Sequence, residues 1–327
     1  MSGGSALYGA RLVVTGAGGF VGSALTRALA QIPCHLTRLS RQPLPPLPDA
    51  ACSIADVRAD LRYEDIPPAV VERADIIFHL AAQTGAVEAD AAPADDYAIN
   101  VRPLVALVHQ CCARGLRPGI VLAGTETQFG TPQRLPVDES HPDAPETAYD
   151  LHKCQAERYL KHFSRTRQLR GIGLRLPTVF GPGPPARSPR RGVINQMICR
   201  AVAREPLTVW GTGEFRRDYL YVEDAAQAFI AAAAAADRLQ GGHFVVSPGE
   251  AHTVADTFRA IAAAVEKRTG RHVDVINIRP PEGEPGVTFR DFVGDGRRFR
   301  EITGWEPAVG FERGIDLTIE SALQRRA

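Results

Sequence analysis

The sequence predicts an α/β fold, a doubly wound parallel sheet with a smaller mixed α/β lobe toward the C-terminus. Three observations predict it. Short apolar runs suited to buried strands alternate with stretches of helical period from residue 11 to residue 176. The first of these runs breaks on glycines directly into a helical pattern. After Leu176 the texture changes: 181–191 reads Gly-Pro-Gly-Pro-Pro-Ala-Arg-Ser-Pro-Arg-Arg, too polar and broken for sheet core.

In order along the chain, residues 12–15 are rich in β-branched side chains and stop at Gly16. Phe20, Val21, Ala24, Leu25, Ala28 and Leu29 then recur at helical spacing. A strand that turns on glycines into a helix aims the helix's free N–H groups and positive dipole end at the turn. That is an anion site, most often for a pyrophosphate. Gly16 permits the tight turn, Gly19 lets the backbone approach phosphates, and Gly22 lets helix and strand pack closely. The spacing is G-x-x-G-x-x-G, which alone reads equally well as a tight turn without a ligand. A second strand is expected over 34–40, ended by Arg41 and a Pro-rich loop at 43–48, and a third over 51–56, followed by Asp60-Leu61. The apolar run 74–80 suits a strand buried on both faces. Residues 104–112 have helical periodicity, 119–125 is the fifth strand, 148–163 the next helix and 171–176 the sixth strand.

Beyond the loop come a helix at 193–203, a strand at 207–210 and an Ala-rich helix at 223–239, whose tract 231–236 follows from helix propensity. Residues 244–247 return to the sheet, and 253–267, 272–278 and 311–323 make the C-terminal lobe. The expected division is a dinucleotide-binding unit over 1–177, its sheet completed by 223–248, and a substrate-binding lobe over 178–222 and 249–327. No internal repeat is found beyond the strand–helix alternation.

Composition sets the outer bounds. The 327 residues suffice for one large domain or two interleaved ones, and a net charge of +1 provides no overall field for nucleic acid or an anionic membrane. The six cysteines (34, 52, 111, 112, 154 and 199) show no metal spacing and read as small buried hydrophobes in a reduced compartment; no metal is expected. No apolar run reaches the roughly 18 residues of a bilayer span. Residues 1–5 lack the charged and apolar regions of a signal peptide. A soluble cytoplasmic protein is expected.

Tyr149-Asp-Leu-His-Lys153 places a phenol and an ammonium on one helix face. A free tyrosine has a pKa of about 10. A neighbouring lysine charge stabilises the phenolate and makes the side chain a usable general acid or base. In isolation such a pair reads better as a surface ion-pair helix.

The elements fall in a recognisable order, however: the Gly16/Gly19/Gly22 turn, Asp60-Leu61, His79-Leu80-Ala81-Ala82, Asn100, Thr125 and Tyr149/Lys153. Leu174-Arg-Leu-Pro-Thr-Val-Phe-Gly-Pro182, Gly211-Thr-Gly-Glu-Phe-Arg-Arg-Asp218-Tyr-Leu-Tyr-Val-Glu-Asp224 and Gly304-Trp-Glu-Pro307 follow. With these motifs the chain resembles the extended short-chain dehydrogenase/reductase family, a Rossmann fold, in its nucleotide-sugar epimerase, dehydratase and ketoreductase branch. The resemblance covers nearly the whole chain. It implies that Tyr149 exchanges the proton, that Thr125 holds the reacting sugar oxygen, and that Lys153 grips the nicotinamide ribose and tunes Tyr149. Asp60 and Leu61 look like adenine contacts, and Leu80, Ala81 and Ala82 like cofactor lining. Phe20, Val21, Asn100 and Pro177 join the same cofactor set. Arg217 matches an arginine directed at the sugar nucleotide's diphosphate, a role that bidentate guanidinium chemistry suits. Pairing with Asp218 or Asp224 is its structural alternative. Arg190, Arg191 and Arg216 read as solvated or local loop charges.

Departures from the family pattern narrow the expectation. The second strand ends in Ser40-Arg41, where an NAD-selective site places an acid on the ribose 2′-OH; a hydroxyl followed by arginine suits a 2′-phosphate. NADP(H) is therefore preferred and NAD(H) is the alternative, unless Arg41 merely starts an exposed loop. Dehydratases resemble Thr-Asp-Glu after the fifth strand. This chain has Glu126 but Thr127, which argues against dehydration and leaves Glu126 either on a substrate hydroxyl or structural. Thr178 stands where many epimerases show asparagine, and Arg279 or Arg290 is a candidate for a further phosphate-binding arginine. The expected function is NADPH-dependent reduction of a nucleoside-diphosphate 4-keto-6-deoxyhexose. The alternative is an NAD-dependent nucleotide-sugar 4-epimerase, and the remote one a non-catalytic cofactor sensor, against which the full Thr125/Tyr149/Lys153 set argues. The resemblance further implies a homodimer packed through helices 104–112 and 148–163.

Overall fold

The computed structural model describes residues 4–166, 169–184, 192–282 and 286–325. Seven strands form one parallel sheet: β1 (Arg11–Thr15), β2 (His35–Ser40), β3 (Ser53–Arg58), β4 (Ile76–His79), β5 (Gly119–Thr125), β6 (Arg170–Leu176) and β7 (His243–Val245). Their order is β7-β6-β5-β4-β1-β2-β3, every neighbouring pair parallel. Helices α1 (Phe20–Leu29), α2 (Ala86–Ala91), α3 (Pro93–Asn100), α4 (Arg102–Ala113), α5 (Ala148–Arg165) and α6 (Val222–Ala234) accompany it.

The period of two along a strand sorts side chains between the sheet's faces. Leu12 and Val14 join Leu25, Phe78, Val121, Leu174 and Phe229 on one face, under α1 and α6. Val13 joins Leu39, Ile77, Leu104, Ile120 and Leu160 on the other, under α4 and α5. Strands buried on both faces need apolar residues at nearly every position, which is why β1 and β4 read as continuous apolar runs. A third cluster (Ile194, Ile198, Leu207, Val209, Tyr219, Phe258, Ile261, Phe311, Ile315) is built almost entirely after residue 190. There Thr178–Phe180 pairs with Tyr219–Tyr221, Arg216–Arg217 with His252–Thr253, and Leu207–Trp210 with Val275–Ile278.

Several elements differ from the sequence expectation. The third strand starts at Ser53 rather than 51, because polar pairs set its register: His35 Nδ1 meets Ser53 Oγ at 2.7 Å, and Arg38 clamps Asp56 through two 2.7 Å bonds. The helix expected over 223–239 turns at Ala235, then continues as Ala236–Leu239 with Ala236 and Leu239 buried. Helices α2 and α3 were not expected; their faces are short and polar, and Pro93 opens the second at a position where its missing N–H costs nothing. No helix among the described residues is long and apolar enough to cross a membrane.

Candidate active site

β1 has β2 on one side and β4 on the other, so the strand order reverses at its C-terminal end and opens a crevice. The glycine turn fills that end. Gly16 has φ +68°, and a Cβ there would lie 2.8 Å from the Leu80 carbonyl and the Ala81 amide. A Cβ on Gly22 would overlap the Gly16 carbonyl, and one on Gly19 would come within 3.0 Å of the same atom. Gly19 is the N-cap of α1 and no side chain caps the helix, so the first-turn amides, Phe20 and Val21 included, are left to an outside acceptor. This cradle fits the diphosphate of a dinucleotide.

Beneath the turn, Thr15 Oγ1 accepts from the Leu80 and Ala81 amides at 3.2 and 3.1 Å. Its own proton then goes to His79 Nδ1, 3.1 Å away, which places the imidazole proton on Nε2. That Nε2 is buried without a partner. Burial, reinforced by the Lys153 charge, pushes His79 down to about 3, so it stays neutral. Lys153 is itself 4% exposed. Burial lowers it to about 8 against the opposing charges of Asp96 and Glu157. Asp96 is shared: its Oδ2 pairs with His152 Nδ1 at 2.7 Å and its Oδ1 accepts from Asn100 Nδ2 at 2.9 Å. Asn100 also donates to the Gln83 carbonyl, and its Oδ1 is buried without a partner.

Tyr149 and Lys153 stand one helical turn apart near the start of α5, both buried. The helix begins there because Thr147 and Asp150 form a reciprocal capping box. Thr125 ends β5 and caps the following turn, Glu126–Phe129, with its hydroxyl 3.3 Å from the Thr127 amide. That turn is bonded to α5: Gln128 accepts from the Thr125 amide at 3.0 Å and donates to Glu157 at 3.1 Å, while Cys154 Sγ lies 3.7 Å from the Gln128 carbonyl. A Cβ on Gly130 would overlap the Ala144 carbonyl, so the chain after the turn is equally close-packed. The turn that Thr125 caps is thereby anchored to α5 through Cys154 and Glu157.

At the far end of the crevice, Ser40 Oγ lies beside the turn, 3.1 Å from where a Gly18 Cβ would sit. A cleft of about 430 Å³ lined by Arg41, Gln42, Arg58, Asp60, Arg62 and Glu64 opens next to it. Hydrogen bonds from Arg62 at 2.6 and 3.0 Å hold the Asp60 carboxyl below the ordinary range. Leu61 packs into the sheet core beneath. Pro177 is buried where β6 ends, and Thr178 beside it is half-buried.

On the short strand Arg216–Arg217, Arg217 bonds neither acid offered as its partner by the sequence among the described residues. It donates to the carbonyls of Arg216 and Thr288, both at 2.9 Å, and to that of Arg290. Asp224 instead accepts the Ala308 and Val309 amides at 2.9 Å each, and Asp218 accepts from Gly294 N at 3.0 Å and from Ser247 Oγ. The acids sit on backbone donors because their own short strand and helix face the 294–309 segment. Arg216 is an exposed pair with Asp291 at 2.8 Å. Arg290 is buried with Nη1 unpartnered. Glu126 is buried, and its desolvation and the Asp218 charge push its carboxyl well above the ordinary range. Arg190 and Arg191 lie outside the described residues. Sequence reasoning did not single out Thr15, Asp96 or His152, and it weighed Asp218 only as a partner for Arg217; of these only Thr15 carried a further usable signal, as the hydroxyl directly before the glycine turn.

The likeness to known proteins agrees with this geometry. The family model described as the NAD dependent epimerase/dehydratase family matches residues 12–247. The chain is 30% identical over 318 residues to a UDP-glucose 4-epimerase of Mycolicibacterium smegmatis, covering 95% of this chain and 97% of that one. It is 26% identical to a dTDP-4-dehydro-6-deoxyglucose reductase of Escherichia coli, over 95% of this chain and 96% of that one. A UDP-N-acetylglucosamine 4-epimerase of Methanobrevibacter ruminantium superposes with a TM-score of 0.85 at 24% identity, over 97% of this chain and 99% of that one. Among further neighbours, a Thermus thermophilus UDP-glucose 4-epimerase was solved with NAD (TM-score 0.77, 26% identity, 96% of this chain and 99% of that one). RMD of Pseudomonas aeruginosa was solved with NADPH (TM-score 0.77, 22% identity, 97% of this chain and 99% of that one). A glycine cradle at the sheet's switch point, a buried tyrosine–lysine pair on the helix after β5 and a family match across most of the chain lead to one conclusion: the chain belongs to the NAD-dependent epimerase/dehydratase family of extended short-chain dehydrogenases/reductases.

Proposed function

We propose that the protein reduces a nucleoside-diphosphate 4-keto-6-deoxyhexose with NADPH. The observation that carries this reading is the cleft beside Ser40: it presents Arg41 and Arg58, and its acid, Asp60, is engaged by Arg62. A 2′-phosphate gains from such a setting, whereas both acids of the cleft already have partners, Asp60 in Arg62 and Glu64 in the Asp60 amide. With its diphosphate held at the turn, NADPH would supply the hydride. The chain's own residues do the rest. Tyr149 gives its proton to the sugar oxygen as charge builds on it, Thr125 holds that oxygen, and the buried Lys153 ammonium favours the phenolate left behind. The surroundings exclude water, which strengthens each of these interactions. The lobe over 178–222 and 249–327 would hold the nucleotide sugar, with Arg217 and Arg290 toward its diphosphate. A homodimer would pack through α4 and α5, near exposed Leu151 and Tyr97.

A second reading, an NAD-dependent 4-epimerase of nucleotide sugars, draws support from the 30% identical relative. An epimerase benefits from keeping its cofactor, because it oxidises and re-reduces the same sugar. A net reductase must exchange cofactor every turnover. The deciding experiment combines identification of any copurifying nicotinamide nucleotide with turnover of a panel of 4-keto sugar nucleotides by NADPH and NADH. NADPH-preferring consumption of a 4-keto substrate is expected; retained NAD with interconversion of 4-epimers sinks the reductase reading. In either case Tyr149→Phe should lower kcat by about 10²–10⁴-fold, the range of a lost general acid, while cofactor affinity measured by fluorescence persists.

A further inference from the structure

Glu126 and Asp218 are 5% and 0% exposed and come within hydrogen-bonding reach of each other. Glu126 arrives from the turn after β5, Asp218 from between the short strands Arg216–Arg217 and Tyr219–Tyr221. Each has one buried oxygen without a hydrogen-bond partner, Glu126 Oε2 and Asp218 Oδ1. The second oxygen of Asp218 already accepts from Gly294 N and Ser247 Oγ. Two ionised carboxylates have only acceptors to offer one another, so side by side in a buried site they repel and stay unsatisfied. A single proton between them removes both defects. Arg217 and Arg290 act electrostatically on the same spot, yet neither forms an ion pair with either carboxyl among the described residues. Arg290 Nη1 is buried with no partner.

We propose that Glu126 and Asp218 share one proton and thereby keep this four-residue cluster positive, which makes Glu126 a positioning residue for the anionic diphosphate of the substrate. Two guanidinium charges against one shared negative charge leave one positive charge to meet the ligand. With both carboxyls ionised the cluster is neutral and the attraction is lost. Burial and the neighbouring Asp218 charge hold the Glu126 proton against the pull of the arginines. The other titratable groups around the cluster are Tyr219, raised by burial; Asp150 at the start of α5, raised by burial; and Asp291, occupied by Arg216. None of these donates a hydrogen bond to the unpartnered oxygen of either carboxyl. The proposal rests on the nucleotide-sugar reading, since it concerns the diphosphate end of that ligand.

The test is calorimetric binding of UDP and of dTDP to the cofactor-loaded protein, for wild type and Glu126→Gln, from pH 7 to the alkaline limit of the fold. Glutamine is neutral at every pH and keeps a donor for Asp218. Wild-type affinity should fall several-fold as the shared proton is lost, and Glu126→Gln should lack that fall. In turnover the same difference should appear in KM and not in kcat, a split that a merely structural role would not produce. Parallel profiles, or tighter binding by Glu126→Gln already at pH 7, overturn the shared proton. Failure of the wild type to bind either diphosphate at any pH overturns the nucleotide-sugar reading and this proposal with it; the preceding outcomes leave that reading intact.

Discussion

Two buried groups of arginines and carboxylates flank the turn at Glu126–Phe129, and they are solved differently. Behind the turn, Arg175 is fully buried. It bonds Glu157 at 3.0 and 2.8 Å and Asp143 at 2.7 Å, with its guanidinium 4.3 Å from the centre of the Phe129 ring. Lys161 at 2.5 Å and Gln128 at 3.1 Å complete Glu157. In front of the turn, Arg217 spends its donors on carbonyls, while Glu126 Oε2, Asp218 Oδ1 and Arg290 Nη1 have no partner. Withdrawing charge from water is expensive in both places. Pairing offsets the cost in the first, where Arg175 Nη1 is the one guanidinium or carboxylate atom left over among the described residues, against three such atoms in the second. The paired group welds α5 to the sheet; the open one is what a site for a charged ligand requires.

The sharpest way to break this contrast is to remove one cation from each group. Arg175→Met leaves Glu157 and Asp143 buried without their main partner and should lower stability by about 3–5 kcal/mol in urea titration. Arg290→Met removes a guanidinium that holds no ion pair with Glu126 or Asp218 and should cost less than about 1 kcal/mol. Its effect should fall on the nucleotide-sugar KM, raised about tenfold for a lost charge-assisted contact of roughly 1.4 kcal/mol. Equal losses of stability in the two variants would erase the distinction.

Acid sharpens it further, because the paired group titrates in a known direction. Burial opposes the Glu157 charge, but hydrogen bonds and charge from Arg175, with Lys161, outweigh it and hold the carboxyl at about 2. Its contribution is therefore complete above the unfolded value of about 4.3 and lost as pH falls through 2. His243, beside it, is lowered by burial to about 4. The unfolded chain takes up that proton first, so stability should begin to decline below about 6.5. Denaturation midpoints followed from pH 7 to pH 3 should show the early decline in wild type and a smaller one in His243→Asn. A flat profile across that range would count against the buried network.

How legible all this was depends on the range of the interaction. The glycine turn, β5 and the Tyr149/Lys153 helix are local patterns, and each is found where its spacing put it. Thr125, Tyr149 and Lys153 could be proposed because short segments carry them and the order of segments resembles a known family. The closeness of Asp218 to Glu126 could not be read, because the two stand 92 residues apart. Arg175 read only as a strand residue, since nothing along the chain announces that Glu157 and Asp143 will close around it. The register of β3 escaped for a related reason: it follows polar pairs with β2 that the apolar pattern does not encode. Helices α2 and α3 escaped because their exposed Ala/Asp surface offers no apolar stripe.

The smallest effect expected separates Lys153 from both groups. Its ammonium is buried like theirs, but among the described residues no single partner closes on it: Asp96 and Glu157 support the charge against burial, and the balance leaves it at about 8. Asp96→Asn withdraws the larger of those supports and keeps an isostere for His152 and Asn100. Lys153 then sheds its proton at lower pH, Tyr149 loses its tuning sooner, and the alkaline limb of kcat should move down by up to about one pH unit. Linkage supplies an independent check. A lysine whose folded value lies below the unfolded value of about 10.4 leaves the unfolded chain binding more protons between about 8 and 10.4, so this residue makes stability rise with pH there. In Asp96→Asn that rise should begin at lower pH, in step with the kinetic limb. A limb that stays in place while the stability rise shifts would mean that the lysine charge does not govern the tyrosine.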